Sequence, residues 1–519
     1  MSARLRSGLD GIPETTDVLV IGLGITGAGV ALDAASRGLS VVAVDASDVA
    51  HGTSRWSSKL VHGGLRYLAK GQLDVAHESA VERGILMQST APHLVHALPM
   101  LLPLTPSISR TQAGLARSGI LAGDLLRLTA RTERETLPRP RRIGVTETLA
   151  LAPVVRQEGL RGSILSWDGQ LEDDARLVLG VARTAVAHGA LVHTRVRVSE
   201  PTGTGAVLTD SRTGETRSIR ARMTLNATGV WAGELVPDIR LRPSRGTHLV
   251  LRKDTLPGVR CAIMAPVPGV ANRFVFALPQ PDLTFYVGLT DEPVEGAIPD
   301  VPHPPEEDVD FLLDVVNRAL QHEITRADVV GAYAGLRPLL DTEGATADIS
   351  RKHAVLVSPT GVVTVVGGKL TTYRRMAQDA VDRALAESGT SAGPCRTRQL
   401  PLLGAAPRGE LAGIQAPARL VRRFGTEGPA VLADAVAVTG LPEQELLTPV
   451  SAAIPATLAE LVFGVTHEGA TTVEDLLERR TRIGLVPADA EVARPVAERA
   501  LGLVVGGGAE QLEHGSCGA

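Results

Sequence analysis

DVLVIGLGITGAGVALDAASRGLSVVAVD, running from Asp17 to Asp45, decides the fold. Asp17-Val-Leu-Val-Ile21 is a short β-branched run that passes directly into Gly22-Leu-Gly24-Ile-Thr-Gly27, and an alanine-rich stretch follows to Arg37-Gly38. The order is strand, glycine turn, helix. Glycines at 22, 24 and 27 let the chain turn tightly. They also let a pyrophosphate approach backbone N–H groups at the helix N-terminus, where the dipole favours an anion. A second strand, Ser40 to Val44, ends at Asp45, whose carboxylate is positioned to accept hydrogen bonds from a ribose hydroxyl. The unit spans 29 residues, as a dinucleotide-binding βαβ should. It does not choose between FAD and NAD.

A chain of 519 residues exceeds the size at which one hydrophobic core stops growing, so two or three domains are expected, and its 44% hydrophobic content can fill them. The net charge of −4 argues against a nucleic-acid binder, because neutralising phosphates needs a surplus of Lys and Arg. Cys261, Cys395 and Cys517 lie too far apart for a local zinc motif or a disulfide framework, which fits a reducing cytoplasm. His51, His62, His77 and His93 are too irregularly spaced for a metal site. No signal-peptide core opens the chain, and no run of about 18 apolar residues would span a bilayer. A cytoplasmic protein, soluble or attached to the inner membrane face at its periphery, is expected.

Two glycine segments lie far downstream. Leu225-Asn-Ala-Thr-Gly229-Val-Trp231 has a strand-like start followed by small residues that permit close backbone approach. Val362 to Val366 leads into Gly367-Gly368-Lys369-Leu370-Thr371-Thr372 and a helical pattern through Tyr373, Met376, Ala380 and Ala384. This is again strand, glycine turn, helix. Such a helix start can stabilise negative charge on the pyrimidine end of a reduced flavin, whereas a nicotinamide domain would not need it.

These segments occur in a family order: GTSRWSSKLVHGGLRYL (Gly52–Leu68), DDARLVL (Asp173–Leu179), NATGVW (Asn226–Trp231), SRGTHLVL (Ser244–Leu251), YAGLRPLL (Tyr333–Leu340), GGKLTTYR (Gly367–Arg374) and HEGATTVEDLLERRTR (His467–Arg482). With the opening βαβ unit, the sequence closely resembles FAD-dependent glycerol-3-phosphate dehydrogenases over nearly its whole length. Asp45 stands where the family usually has Glu, Trp56 where small or polar residues are commoner, and Leu289 where the family has Thr.

The resemblance implies FAD as cofactor and oxidation of sn-glycerol 3-phosphate at C2 to dihydroxyacetone phosphate. It implies FAD contacts from Gly22, Gly24, Gly27, Asp45, Ser57, Ser58, Lys59, Ala227, Thr228, Gly229, Gly368, Leu370 and Thr371. Arg66, Tyr67, Arg337 and Lys369 match motif positions at the substrate end, where Arg grips phosphate bidentately and Lys supplies a compact charge. Arg337 can instead lower the energy of the developing alkoxide. His248 is the expected base, since imidazole titrates near neutral pH; an isolated strand histidine is otherwise structural. Asp173, Asp174 and Arg176 read either as positioning the cap domain or as an exposed helix start with a local ion pair.

The expected architecture is α/β, with a discontinuous Rossmann-like FAD-binding domain (1–110, 176–235 and 351–390) and an antiparallel β-sheet substrate/cap domain (236–350). A C-terminal helical domain (395–519) includes a Thr471–Glu474 capping box. The connecting segment 111–175 carries part of a stretch, Arg110 to Arg142, with eight arginines against three acids, interleaved with Leu115, Ile120, Leu121, Leu125, Leu126 and Leu128. It reads either as a basic amphipathic surface on anionic lipid or as a solvated helix face packed on its own domain. A quinone acceptor suits the first reading. The alternatives are an oxidase that reduces oxygen to hydrogen peroxide and a non-catalytic flavin-binding sensor. A homodimer is expected.

Overall fold

The computed structural model describes residues 3–64, 72–106, 108, 110–270, 273–341 and 352–514. Thr15–Ile21 is a strand, and its Val18–Ile21 end pairs in parallel with Val41–Val44. Helix Ile25–Ser36 between them is buried on almost every side. Its small residues explain how: it packs against helices Asp174–Ala187 and Tyr373–Ser388, and a Cβ at Gly29 would meet the Tyr373 ring at 2.9 Å. The central parallel strands run in the order Leu191–Thr194, Val41–Val44, Thr15–Ile21, Thr216–Asn226, Val363–Val366. Strands drawn from three distant parts of the sequence therefore complete one sheet, and the domain is discontinuous as expected. Covered by helices, such a sheet reads as continuous apolar runs rather than alternation.

A second, wider sheet lies beside it. Ser244–Arg252 lies between Val329–Arg337 and Thr284–Gly288, and the order continues through Phe274–Pro279, Ala262–Pro266, Val95–Pro103, Ser163–Leu171 and Leu60–Val61. All of these pairings are antiparallel except the one joining Ala262–Pro266 to Val95–Pro103. The expected boundaries need correction here. Val95–Pro103 falls within the span 1–110, and Ser163–Leu171 within the connecting segment, yet both are strands of the second sheet. Neither has an alternating pattern that would reveal its partner, because each fills the middle of a wide sheet with residues such as Leu101 and Leu165 buried in its core.

The C-terminal region is helical around a core that includes Phe424, Leu461 and Phe463, with one short hairpin, Pro449–Ser451 against Ile454–Thr457. The capping box is shifted by one residue. Thr472 Oγ1 accepts from Asp475 N at 3.1 Å, and Asp475 Oδ2 accepts from Thr472 N at 3.1 Å. Glu474 instead faces Arg494. The shift has a cause: Asp475 at this position also receives Arg195 and Arg479, so one carboxylate caps the helix and ties it to the flavin domain.

Asp173, Asp174 and Arg176 form a helix start, with Asp173 as its N-cap, but none is exposed. Arg176 makes a two-pronged pair with Glu468, Arg423 reaches Asp173, and Arg479 and Arg480 converge on Asp48. A dense set of buried charges thus joins the C-terminal helices to the flavin domain. Breaking one such pair would leave a charge buried alone, at a cost of about 3–5 kcal/mol.

Candidate functional site

Between the two sheets lies a cavity of about 1100 Å³. One end is built by the glycine turn. Gly22 has φ +98°, and a Cβ there would meet the Ala227 carbonyl oxygen at 2.7 Å; a Cβ at Gly27 would overlap the Gly22 carbonyl oxygen. The strand end at 22 and the turn after Asn226 therefore stand in contact. Asn226 is fully buried, and its Oδ1 accepts from Thr228 N (3.1 Å) and Thr228 Oγ1 (2.7 Å), holding Ala227, Thr228 and Gly229 along the cavity. The Asp45 carboxylate lines the same end. It accepts from Leu23 N at 2.7 Å and Ser47 N at 2.8 Å; burial pushes its pKa up and these donors oppose that rise. Gly22, Gly24, Asp45, Ser57, Ser58, Ala227, Thr228, Gly229, Gly368, Leu370 and Thr371 all line the cavity. Gly27 sits one turn behind, where it lets the helix approach the strand.

The second strand–turn–helix forms as read. Val363–Val366 leads through Gly367 and Gly368, both with positive φ, into the short helix Leu370–Thr372, which continues as Tyr373–Ser388. Lys369 borders the cavity, and its Nζ donates to Ser79 Oγ.

His248 and Arg337 reach the cavity from adjacent strands of the second sheet, with His248 opposite Tyr333 and Ser244 opposite Arg337. The imidazole stacks on Tyr333, centroids 4.8 Å apart, and its Nε2 lies 2.8 Å from Ser58 Oγ. Burial, then the charges of Lys59 and Arg337, push its pKa down to about 3, so the ring is neutral at physiological pH. Gly288 opposite it has no side chain for a reason: a Cβ would collide with the ring. The Arg337 guanidinium is oriented by Ser244 Oγ (3.2 Å), Asp291 Oδ1 (3.2 Å) and the Thr290 carbonyl (3.1 Å), and Gly246 leaves it space.

One expectation shifts. The Lys59 ammonium is absent from the cavity wall; it lies buried against Asp174 Oδ2 at 2.7 Å and Arg55 O at 2.9 Å, with burial and then Arg482 pushing its pKa down to about 8. Ser57 Oγ, two residues before, bonds the same Asp174 oxygen, so Ser57 and Lys59 reach that carboxylate together while Ser58 between them meets His248. Arg66 and Tyr67 lie outside the described residues. Sequence reasoning missed Ser54, whose Oγ accepts from Ile25 N at 2.9 Å, and Asp291, which holds Arg337. It also missed Trp231, whose ring fills the space a Cβ at Gly52 would take. The visible signal was a glycine matched to each bulky neighbour, but which glycine serves which residue is a tertiary fact.

The glycine turn that a Cβ would close, the acid at the end of the second strand and the second helix start fit an adenine dinucleotide. The family described as FAD dependent oxidoreductase matches residues 17–374, and the C-terminal domain of alpha-glycerophosphate oxidase matches residues 395–504. Glycerol-3-phosphate dehydrogenase 1 of Mycobacterium tuberculosis (strain H37Rv) is 54% identical over 511 residues, covering 96% of this chain and 97% of that protein. The mitochondrial glycerol-3-phosphate dehydrogenase of Mesocricetus auratus is 34% identical, covering 94% of this chain and 69% of that protein. Among solved structures, the glycerol-3-phosphate dehydrogenase of Bacillus halodurans complexed with FAD superposes with a TM-score of 0.71 at 28% identity, covering 94% of this chain and 90% of that one. With a dinucleotide cradle at one end, a neutral imidazole and an oriented guanidinium at the other, and this likeness along both its parts, the chain belongs to the FAD-dependent oxidoreductases, in the glycerol-3-phosphate dehydrogenase family.

Proposed function

We propose that the protein oxidises sn-glycerol 3-phosphate at C2 to dihydroxyacetone phosphate and passes the electrons to a quinone. The observation that carries the reading is that His248, Arg337 and Lys369 line one cavity with the glycine cradle, so proton acceptor and phosphate-binding cations share a space with the flavin site. FAD, when bound, accepts the hydride from C2. His248 Nε2, which lies 2.8 Å from Ser58 Oγ, takes the hydroxyl proton. The free site holds this base below its ordinary range, and an arriving phosphate dianion offsets the cations that contribute to this, raising its basicity when substrate is present. Lys369, with Arg66 and Tyr67 assigned by motif alone, holds the phosphate; Arg337 faces either the phosphate or the C2 oxygen.

The acceptor reading is supported by the other end of the cavity. Where helix Arg110–Thr129 reaches it through Ser118, Gly119 and Ile120, the wall is apolar, with Leu60, Met100, Leu102, Met264 and Phe276. On the outer face of that helix Leu121, Leu125 and Leu128 are 51%, 61% and 46% exposed, at one-face spacing. Two arginines of the stretch are engaged locally, Arg127 on Asp124 and the Thr132 carbonyl and Arg141 on Glu147, so on this reading the leucines carry the membrane contact rather than these two. No helix among the described residues is long and apolar enough to cross a membrane.

Anaerobic addition of sn-glycerol 3-phosphate to the yellow holoenzyme is expected to bleach the flavin, and a quinone analogue is expected to restore the colour faster than oxygen does. A colourless preparation that takes up no FAD, or a flavin indifferent to this substrate, rejects the reading; faster reoxidation by oxygen replaces the quinone with an oxidase. Changing Leu121, Leu125 and Leu128 together to Ser should cut co-sedimentation with anionic vesicles about tenfold or more, since each buried Leu contributes roughly 1.5–3 kcal/mol. Flavin bleaching should be unchanged. Equal sedimentation of both forms removes this face from the membrane contact.

A further inference from the structure

Residues Arg55 to Lys59 form a strap between the flavin domain and the strand Leu60–Val61 of the second sheet. Its front is the cavity wall, where Ser58 Oγ meets His248 Nε2 at 2.8 Å. Its back is gripped by charges, several of them from the C-terminal domain. The Arg55 side chain is fully buried and pairs with Glu478. Arg482 Nη2 donates to the Arg55 carbonyl at 2.5 Å, its guanidinium lies 5.2 Å from the Trp56 ring centroid, and its Nε stands 3.9 Å from Asp174 Oδ1. The other Asp174 oxygen accepts from Ser57 N (3.0 Å), Ser57 Oγ (2.8 Å) and Lys59 Nζ (2.7 Å). From the substrate sheet, Tyr333 donates its hydroxyl to the Ser57 carbonyl at 2.8 Å while its ring stacks on His248. The imidazole is therefore held by a serine whose own backbone is pinned from behind.

We propose that Arg482 of the C-terminal domain is a positioning residue of the oxidation site: with Asp174 and Lys59 it fixes the backbone at Ser57–Ser58, and through Ser58 it sets the orientation of the His248 imidazole. Trp56 is the wedge on which the guanidiniums of Arg55 and Arg482 both lie. The residue sits at the end of the HEGATTVEDLLERRTR motif, so the helical domain contributes to chemistry while contributing nothing to the cavity wall among the described residues. This inference rests on His248 being the proton acceptor.

The test compares FAD-loaded Arg482→Met, Arg482→Lys, Ser58→Ala and the double variants in anaerobic flavin reduction by saturating sn-glycerol 3-phosphate, with half-saturating concentration, FAD content and dithionite reduction measured alongside. Arg482→Met should reduce its flavin about 10–100-fold more slowly, the scale of a misplaced catalytic group, with normal FAD content and dithionite reduction and less than about a threefold change in half-saturation. Arg482→Lys, which keeps the charge toward Asp174, should recover part of the rate yet remain slower than the parent. In the Ser58→Ala background neither change should slow the reaction further, because the route through Ser58 is already cut. A parental rate in both single variants, or full additivity with Ser58→Ala, overturns the proposal. If Arg482→Met does not retain FAD, Arg482→Lys decides by the same two criteria. A parent enzyme that the substrate fails to bleach rejects the functional reading itself, whereas a parent that bleaches beside indifferent Arg482 variants rejects only the positioning role.

Discussion

Replacing His248 by Gln is expected to slow anaerobic flavin reduction by sn-glycerol 3-phosphate about 10²–10⁴-fold, the usual contribution of a positioned general base, while the protein stays yellow. The imidazole is buried between the Tyr333 ring and the space left by Gly288, and a Gln amide of similar reach can hydrogen-bond Ser58 but cannot take a proton. The pH dependence follows from its neutrality. Burial, Lys59 and Arg337 hold the ring's pKa down to about 3, so in the free enzyme the neutral form persists as pH falls through the ordinary imidazole range. The profile of kcat/KM, which reports the free enzyme, should therefore show no histidine limb near 6.5 from this residue. A limb at that pH that vanishes in His248→Gln contradicts the environment described here, and a variant with parental flavin reduction removes His248 from the chemistry.

Arg337→Met should cost about 10²–10³-fold in kcat/KM, the range for losing one oriented donor to a developing anion. The guanidinium is held by Ser244, Asp291 and the Thr290 carbonyl, so it is set in place before substrate arrives. How the loss divides tells which oxygen it faces. A phosphate clamp contributes to ground state and transition state alike and its removal raises KM, whereas an alkoxide stabiliser acts only in the transition state and its removal lowers kcat. Stopped-flow reduction over a range of substrate concentrations separates the two. Unchanged turnover takes Arg337 out of the site.

The flavin end was largely legible in sequence because its determinants are local. A β-branched strand, three glycines at fixed spacing, a small-residue helix and a terminal acid lie within 29 consecutive residues, and Asp45 indeed bonds the turn it closes. The Gly367–Thr372 element was legible for the same reason. The substrate end was legible only through family motifs, since nothing in the strand Ser244–Arg252 says by itself that His248 will stack on Tyr333 or that Gly288 will make way for it. The charged residues were the least legible. Lys59 sits in a motif with two serines that line the cavity, yet its ammonium goes to Asp174. Asp173, Asp174 and Arg176 have the local look of an exposed helix start, and their burial depends on partners such as Arg423 and Glu468, 250 and 292 residues along the chain from Asp173 and Arg176.

What the sequence by itself determined is the dinucleotide cradle, because backbone conformation at glycine and the period of apolar residues act over a few residues, while the discontinuous α/β plan came through the resemblance of its ordered motifs to a family. What only the tertiary structure decided is where each charge points. A buried ion is tolerable only when its counterion arrives beside it, and those counterions come from distant parts of the chain: Glu468 for Arg176, Asp48 for Arg479 and Arg480, and the carboxylate of Asp174 for Lys59.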